Sequence, residues 1–385
     1  MSTQPTLKDV DFPLSPVPMD QRKSIWSMGL VLLGFTFFTA TMWAGGSIGV
    51  AFDFSTMLMV LIIGNLLLGI YAAILGYIAA KSGLNTALMS RFTFGEIGSK
   101  LSDCILGFTQ IGWYAWGTAT MAILLVKLTG LPESLTTPLM IVFGFGFCIT
   151  AFIGYRGLEL LSRFAVPAMI ILVAVSISIA TSDAGGLSGL MAITPTSDMT
   201  IGAAITLVFG TFVSGGTQAT NWTRFAKSGK SAVIATLLAF FLGTTQDNTV
   251  YNFAIAGCNL VRTQRRKTVT IVGATIGTVL AVLGMYEWLI PFLILLGTFI
   301  PPIGGVIMAS FFVYYKRQYP SFEETVLPAF NLPGLSAYAV GSIAAYTSPW
   351  IAPIVGVLVS ACAYSLFIII SRAVQERRTQ YTGAA

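Results

Sequence analysis

Gln110 and Trp113 lie three residues apart inside one long apolar run. Residues at i and i+3 share a helix face. An amide carried into a membrane is costly unless it meets a partner. Its donor and acceptor suit the edge of a planar hydrogen-bonding ligand, and the indole offers a stacking surface. Such stacking is worth roughly 1–3 kcal/mol per base where nucleic-acid bases lie on aromatic residues. On spacing alone the plainer account is a glutamine bonded to a neighbouring helix beside a packing tryptophan.

The densest polar run within an apolar segment is Thr244-Thr245-Gln246-Asp247-Asn248. Adjacent hydroxyls beside an unwound helix suit a hard cation such as Na⁺, which takes oxygen ligands. Asp247 is the acidic residue that falls deepest in a span, and so is a functional candidate. The rival account is a polar loop at the membrane surface. Two further stretches pair aromatic and hydroxyl residues with a Gly-Gly step, Phe37 to Gly46 and Phe209 to Thr217. Transporters built from repeats often interrupt matching helices at such points, and freed backbone groups then become ligands. The expectation is a non-helical backbone near 44–46 and 214–216. Close packing of helices through small residues is the alternative.

These residues need long apolar elements to carry them. The 385-residue chain is 55% hydrophobic and 9% charged, with mean hydropathy +0.82. Soluble domains carry about 25% charged residues, so a soluble globule is excluded. With a pI near 9.1 nucleic acid would be a conceivable partner, but the basic residues sit at the ends of apolar runs, as juxtamembrane charges do. No nucleic-acid partner is expected. The four cysteines show no paired spacing, and there is no histidine, which removes histidine metal sites, bases and proton relays. An enzyme is not expected, and no cofactor.

Apolar runs cover roughly 27–51, 56–80, 102–128, 138–154, 164–181, 201–220, 231–261, 268–288, 292–315, 335–347 and 350–371. Runs this long and non-alternating make helices, not barrel strands. The fold expected is an all-α polytopic membrane protein of about 11–12 helices in a five-plus-five arrangement. Residues 1–22 read as a cytoplasmic tail, 23–372 as the membrane domain and 373–385 as a second cytoplasmic tail. Arg22, Lys23, Lys81, Arg91, Lys100, Arg156, Arg163, Arg224, Lys227 and Lys230 then all lie inside, in line with the positive-inside bias. One run breaks the rule. Residues 231–261 start beside Lys230 and end at Arg262, Arg265, Arg266 and Lys267. One crossing would put that cluster outside, and 31 residues are too few for two helices of ~20 each.

In order along the chain, Phe37–Gly46, Thr109-Gln110-Ile111-Gly112-Trp113, Thr211-Phe212-Val213-Ser214 and Ile300-Pro301-Pro302-Ile303-Gly304-Gly305-Val306 resemble the nucleobase–cation symporter family, in its bacterial cytosine permease branch. The resemblance implies a leucine-transporter-type inverted-repeat bundle of twelve helices in the inner membrane. It further implies Na⁺-coupled import of a nucleobase, cytosine foremost, by a protein expected to be monomeric. Carried over by motif, Gln110 and Trp113 bond and stack on the base, Phe212 covers its opposite face, Ser214 is a nearby polar contact and Gln246 a further amide. The sodium ligands implied are the carbonyls of Gly34 and Phe38 and the hydroxyls of Thr244 and Thr245. Family members carry roughly 40 further residues between the positions of Gly243 and Thr244, so the seventh and eighth helices are expected to be shortened. Other planar heterocycles, H⁺ coupling, a passive channel and a non-transporting shortened homologue are the competing readings.

Overall fold

The computed structural model describes residues 12–36, 39–153, 155–242 and 248–382. All named elements among them are helical. In chain order they are α1 (Ile25–Thr36), α2 (Thr39–Gly49), α3 (Phe54–Ser82), α4 (Thr86–Phe94), α5 (Ser99–Thr129), α6 (Thr136–Gly146), α7 (Cys148–Ile153), α8 (Tyr155–Asp183) and α9 (Gly186–Met191). Then follow α10 (Ile201–Gln218), α11 (Thr220–Thr223), α12 (Gly229–Leu242), α13 (Asn248–Leu260), α14 (Arg266–Val282), α15 (Leu289–Phe299), α16 (Pro301–Ala309), α17 (Leu332–Thr347) and α18 (Ala352–Thr382).

Helix ends follow from local chemistry. Asp53 caps α3 by accepting from the Thr56 N–H at 3.0 Å, and Gly83 ends it at φ 74°. Thr200 caps α10 through the Ala203 N–H at 3.2 Å. Such caps satisfy amides that the first turn leaves unpaired.

Five stretches among the described residues are long and apolar enough to cross a membrane: Phe54–Ser82, Ser99–Thr129, Ile201–Thr223, Met285–Tyr314 and Ala352–Val374. Their burial sorts them. The apolar window of Ile201–Thr223 is 83% buried, against 17% for Ala352–Val374, so the first is central and the second peripheral. Ile170, Ile171 and Leu172 of α8 are likewise exposed, as lipid-facing residues are.

Two packing groups position the centre. In one, α3 packs on α10 and α12, and α1 lies on α12; in the other, α5 packs on α6, α13 and α14. The α3–α10 crossing depends on Gly64, where a Cβ would lie 2.6 Å from Val208 Cγ1. The backbones of α10 and α15 touch at Gly210, where a Cβ would lie 2.4 Å from the Leu293 carbonyl oxygen.

The glycine expectation is corrected. Gly45 and Gly46 lie within α2, and Ser214 to Gly216 within α10, without interruption. At Gly216 the reason is packing: a Cβ there would be 3.3 Å from Leu68 Cδ1 and 3.4 Å from Ala72 Cβ of α3. The small residue admits a neighbouring helix and leaves the hydrogen-bond ladder intact. At Gly45 and Gly46 a Cβ would meet nothing within 4 Å; the structure offers no packing reason there.

The run 231–261 resolves into α12 and α13, of 14 and 13 residues. At ~1.5 Å per residue the described part of each is about 20 Å long, and residues 243–247 are too few to bring both to the ~30 Å of the hydrocarbon core. Gly229, at the start of α12, backs onto the Tyr77 ring near the end of α3. Asn259, near the end of α13, bonds the Pro13 carbonyl, which Asn85 also bonds just past α3. The start of α12 and the end of α13 therefore lie at the same end of the bundle. The expected turn near Gly243–Thr244 falls outside the described residues.

Candidate functional site

The contact between α5 and α10 is made by polar and aromatic side chains. The Trp113 indole N–H donates to Ser214 Oγ at 3.1 Å, with both residues almost fully buried. Trp113 also meets the Phe292 ring edge-on, with centroids 5.5 Å apart at 73°, an arrangement ring quadrupoles favour. Gly112 makes room for that ring, since a Cβ there would be 2.9 Å from Phe292 Cζ. Gln110, one turn earlier on the face of α5 that carries Trp113, is 1% exposed, and its Nε2 has no partner among the described residues. A buried unpaired amide is costly, which makes this donor a candidate ligand contact.

On α10, Phe212 lies two residues before Ser214, about 200° around the helix. Its ring meets Phe240 of α12 at 6.2 Å. The structure thus joins Trp113 to Ser214 and sets Gln110 on the Trp113 face, while Phe212 looks toward α12. Gly34 lies in α1. Phe38, Thr244, Thr245 and Gln246 lie outside the described residues, and so does Asp247.

Sequence reasoning missed a second polar layer. Tyr71 of α3 shares a 2.7 Å hydrogen bond with Thr217 Oγ1, which donates to the Val213 carbonyl at 2.7 Å. The Thr86 hydroxyl donates to the Thr217 carbonyl at 2.6 Å. Asn221 Nδ2 donates to Asn252 Oδ1 at 2.8 Å, linking α11 to α13. Gln218, 2% exposed, keeps its Oε1 without a partner among the described residues. The available signal was polar residues inside apolar runs; their partners lie up to 146 positions away.

Residues 16–247 match the sequence profile of permeases for cytosine/purines, uracil, thiamine and allantoin. The chain is 35% identical to the cytosine permeases of Escherichia coli strain K12 and of E. coli O157:H7, over 93% of this chain and 94% of each relative. Those alignments run 399 residues against a 385-residue chain. As 93% of 385 is about 358, about 40 positions of the relative have no counterpart here. Among solved structures, Mhp1, a nucleobase-cation-symport-1 family transporter, in a closed conformation with bromovinylhydantoin bound, superposes with TM-score 0.76 at 16% identity, covering 92% of this chain and 94% of that one. Inward-facing Mhp1 gives 0.74 at 16% identity, over 94% and 93%.

The helical bundle shares its fold with Mhp1, and the family profile together with the cytosine permease relatives makes the chain a multi-pass membrane transporter and not an enzyme. The chain belongs to the family of permeases for cytosine/purines, uracil, thiamine and allantoin.

Proposed function

We propose that this permease imports a pyrimidine base, cytosine foremost, by Na⁺ symport with alternating access across the inner membrane. The observation that carries the reading is the spare Gln110 amide beside the Trp113–Ser214 pair. A planar base edge can take the amide hydrogen bond while the indole lies along the ring. Na⁺ is the coupling ion in this reading, with Gly34 and Phe38 in the first span and Thr244 and Thr245 before α13 as its oxygen donors. Phe212 and Gln246 complete the substrate contacts. The class of the Mhp1 neighbour supports cation coupling, and the basic loops support cytoplasmic termini.

Uptake of radiolabelled cytosine into vesicles reconstituted with the purified protein tests this. Accumulation should need an inward Na⁺ gradient. A proton gradient that drives the same uptake without Na⁺ would replace the cation, and excess purine or hydantoin that competes better than cytosine would replace the substrate.

A second reading rests on the run 231–261, too short for two full crossings, and on the family profile that ends at residue 247. In that reading the shortened pair leaves a homologue that binds a base without moving it. Equilibrium cytosine binding without uptake in the same preparation would establish it. Grafting the relative's segment between Gly243 and Thr244 would then restore transport.

A further inference from the structure

Residues 12–24 cross one end of the bundle as a strap. The Val17 N–H donates to the Gly83 carbonyl at 2.9 Å, and the Lys23 N–H to the Phe225 carbonyl at 2.6 Å. Arg22, 9% exposed, donates to the carbonyls of Ala80 and, at 3.0 Å, Ala226. All of these anchors belong to the packing group of α3 and α10–α12.

The tip of the strap reaches the other group. The Pro13 carbonyl accepts from Asn85 Nδ2 at 3.0 Å and from Asn259 Nδ2 at 2.8 Å, and the adjoining Phe12 carbonyl accepts from Arg224 Nη1 at 2.5 Å. Asn85, Asn259 and Arg224 are each 0% exposed. Arg224 follows α11, whereas Asn259 belongs to α13, which packs on α5 and α14. Two consecutive carbonyls thus tie the α10 group to the α5 group at this end.

The asparagine is held ready for that role. Its Oδ1 accepts from Arg91 Nη2 at 2.9 Å, which turns its amide nitrogen toward Pro13. Arg91 is in turn paired with Glu96 at 3.4 Å, and Arg262 with the same carboxylate at 3.2 Å. The strap suits the role as well. Pro13, Pro16 and Pro18 fix φ, so docking costs little chain entropy, and they carry no N–H for docking to strand. Each hydrogen bond has modest net strength, so the strap holds but can be released.

We infer that Asn85, Asn259 and Arg224 form a docking site for the backbone of the chain's own N-terminal segment, and that the docked strap latches the two packing groups together, closing this mouth of the permease. The segment must undock for the groups to part. The inference rests on the permease reading, but its first test does not require transport.

Cys258, next to Asn259 and 0% exposed, is the reporter. Cys104, Cys148 and Cys362 are changed to Ser, and the rate of Cys258 labelling by a membrane-impermeant maleimide is followed in nanodiscs. Asn259→Ala, and separately deletion of residues 2–16, should each raise the rate at least tenfold, in protein that elutes like the parent. A rate within twofold of the parent in both variants overturns the latch. The second test closes the latch covalently. Pro13→Cys with Asn259→Cys in a Cys258→Ser background should lose cytosine uptake on oxidation and regain it on reduction; undiminished uptake in the cross-linked protein also overturns it. If the parent shows no uptake while Cys258 labelling still responds, the transport reading fails and the latch stands.

Discussion

Trp113 commits its N–H to Ser214, and Gln110 keeps a donor unpaired within the same helix face, so the two should respond differently to substitution. Trp113→Ala removes a stacking surface worth roughly 1–3 kcal/mol, which is about 5- to 150-fold in Kd for cytosine. Gln110→Ala removes one hydrogen bond, about 1 kcal/mol net, or about fivefold. Binding of radiolabelled cytosine to the purified variants measures both, and a Gln110→Ala variant that binds like the parent removes that residue from the site. Tyr71 and Thr217 make a second residue-level test. Thr217 gives its proton to Val213, so Tyr71 must donate to Thr217. Thr217→Val strands a buried phenol hydroxyl at a cost of about 1–3 kcal/mol. Tyr71→Phe leaves Thr217 with Val213 and should cost less. Thermal unfolding in detergent should rank the parent above Tyr71→Phe, and Tyr71→Phe above Thr217→Val.

Among the elements, α3 shows how an end is set. Hydrogen bonds from Thr56, its side chain ahead of its backbone, and from Ser55 pull the Asp53 carboxyl down to about 2, while the slight loss of hydration pushes the other way. A carboxylate lowered in the folded state stabilises it above the ordinary value of 3.8, and that contribution is lost as pH falls from there toward about 2. Asp53→Ala should therefore lower the unfolding temperature at pH 7 by a few degrees. The gap between variant and parent should narrow as pH drops from about 4 to about 2; a gap that is constant with pH would show that the charged cap contributes nothing. For α12 and α13, length is the informative property. Two helices of about 20 Å with their outer ends at one end of the bundle cannot act as one span. Thr244, Thr245 and Gln246 fall between these two helices in the sequence and lie outside the described residues.

For the whole molecule, the side on which each basic cluster emerges is the measurable consequence. Single cysteines at positions 230 and 262 should react with an impermeant thiol reagent from the same face of the membrane. Reaction from opposite faces would make residues 231–261 one crossing, which the partners of Gly229 and Asn259 contradict.

By itself the sequence determined the all-helical membrane class and the family, because hydropathy is a local sum that each segment carries whatever its neighbours are and the family's motifs stand in order along the chain. It also marked Gln110 and Trp113, since polar groups inside apolar runs stand out one at a time. The tertiary structure alone decided what the glycines do. A Gly-Gly step permits either an unwound turn or a close neighbour, and at Gly216 the approach of Leu68 and Ala72 settled it as a neighbour. It alone paired Tyr71 with Thr217, Asn221 with Asn252 and Pro13 with Asn259. A buried polar atom must find a partner, but which one it finds depends on which helices pack together, and the order of residues along the chain does not state that.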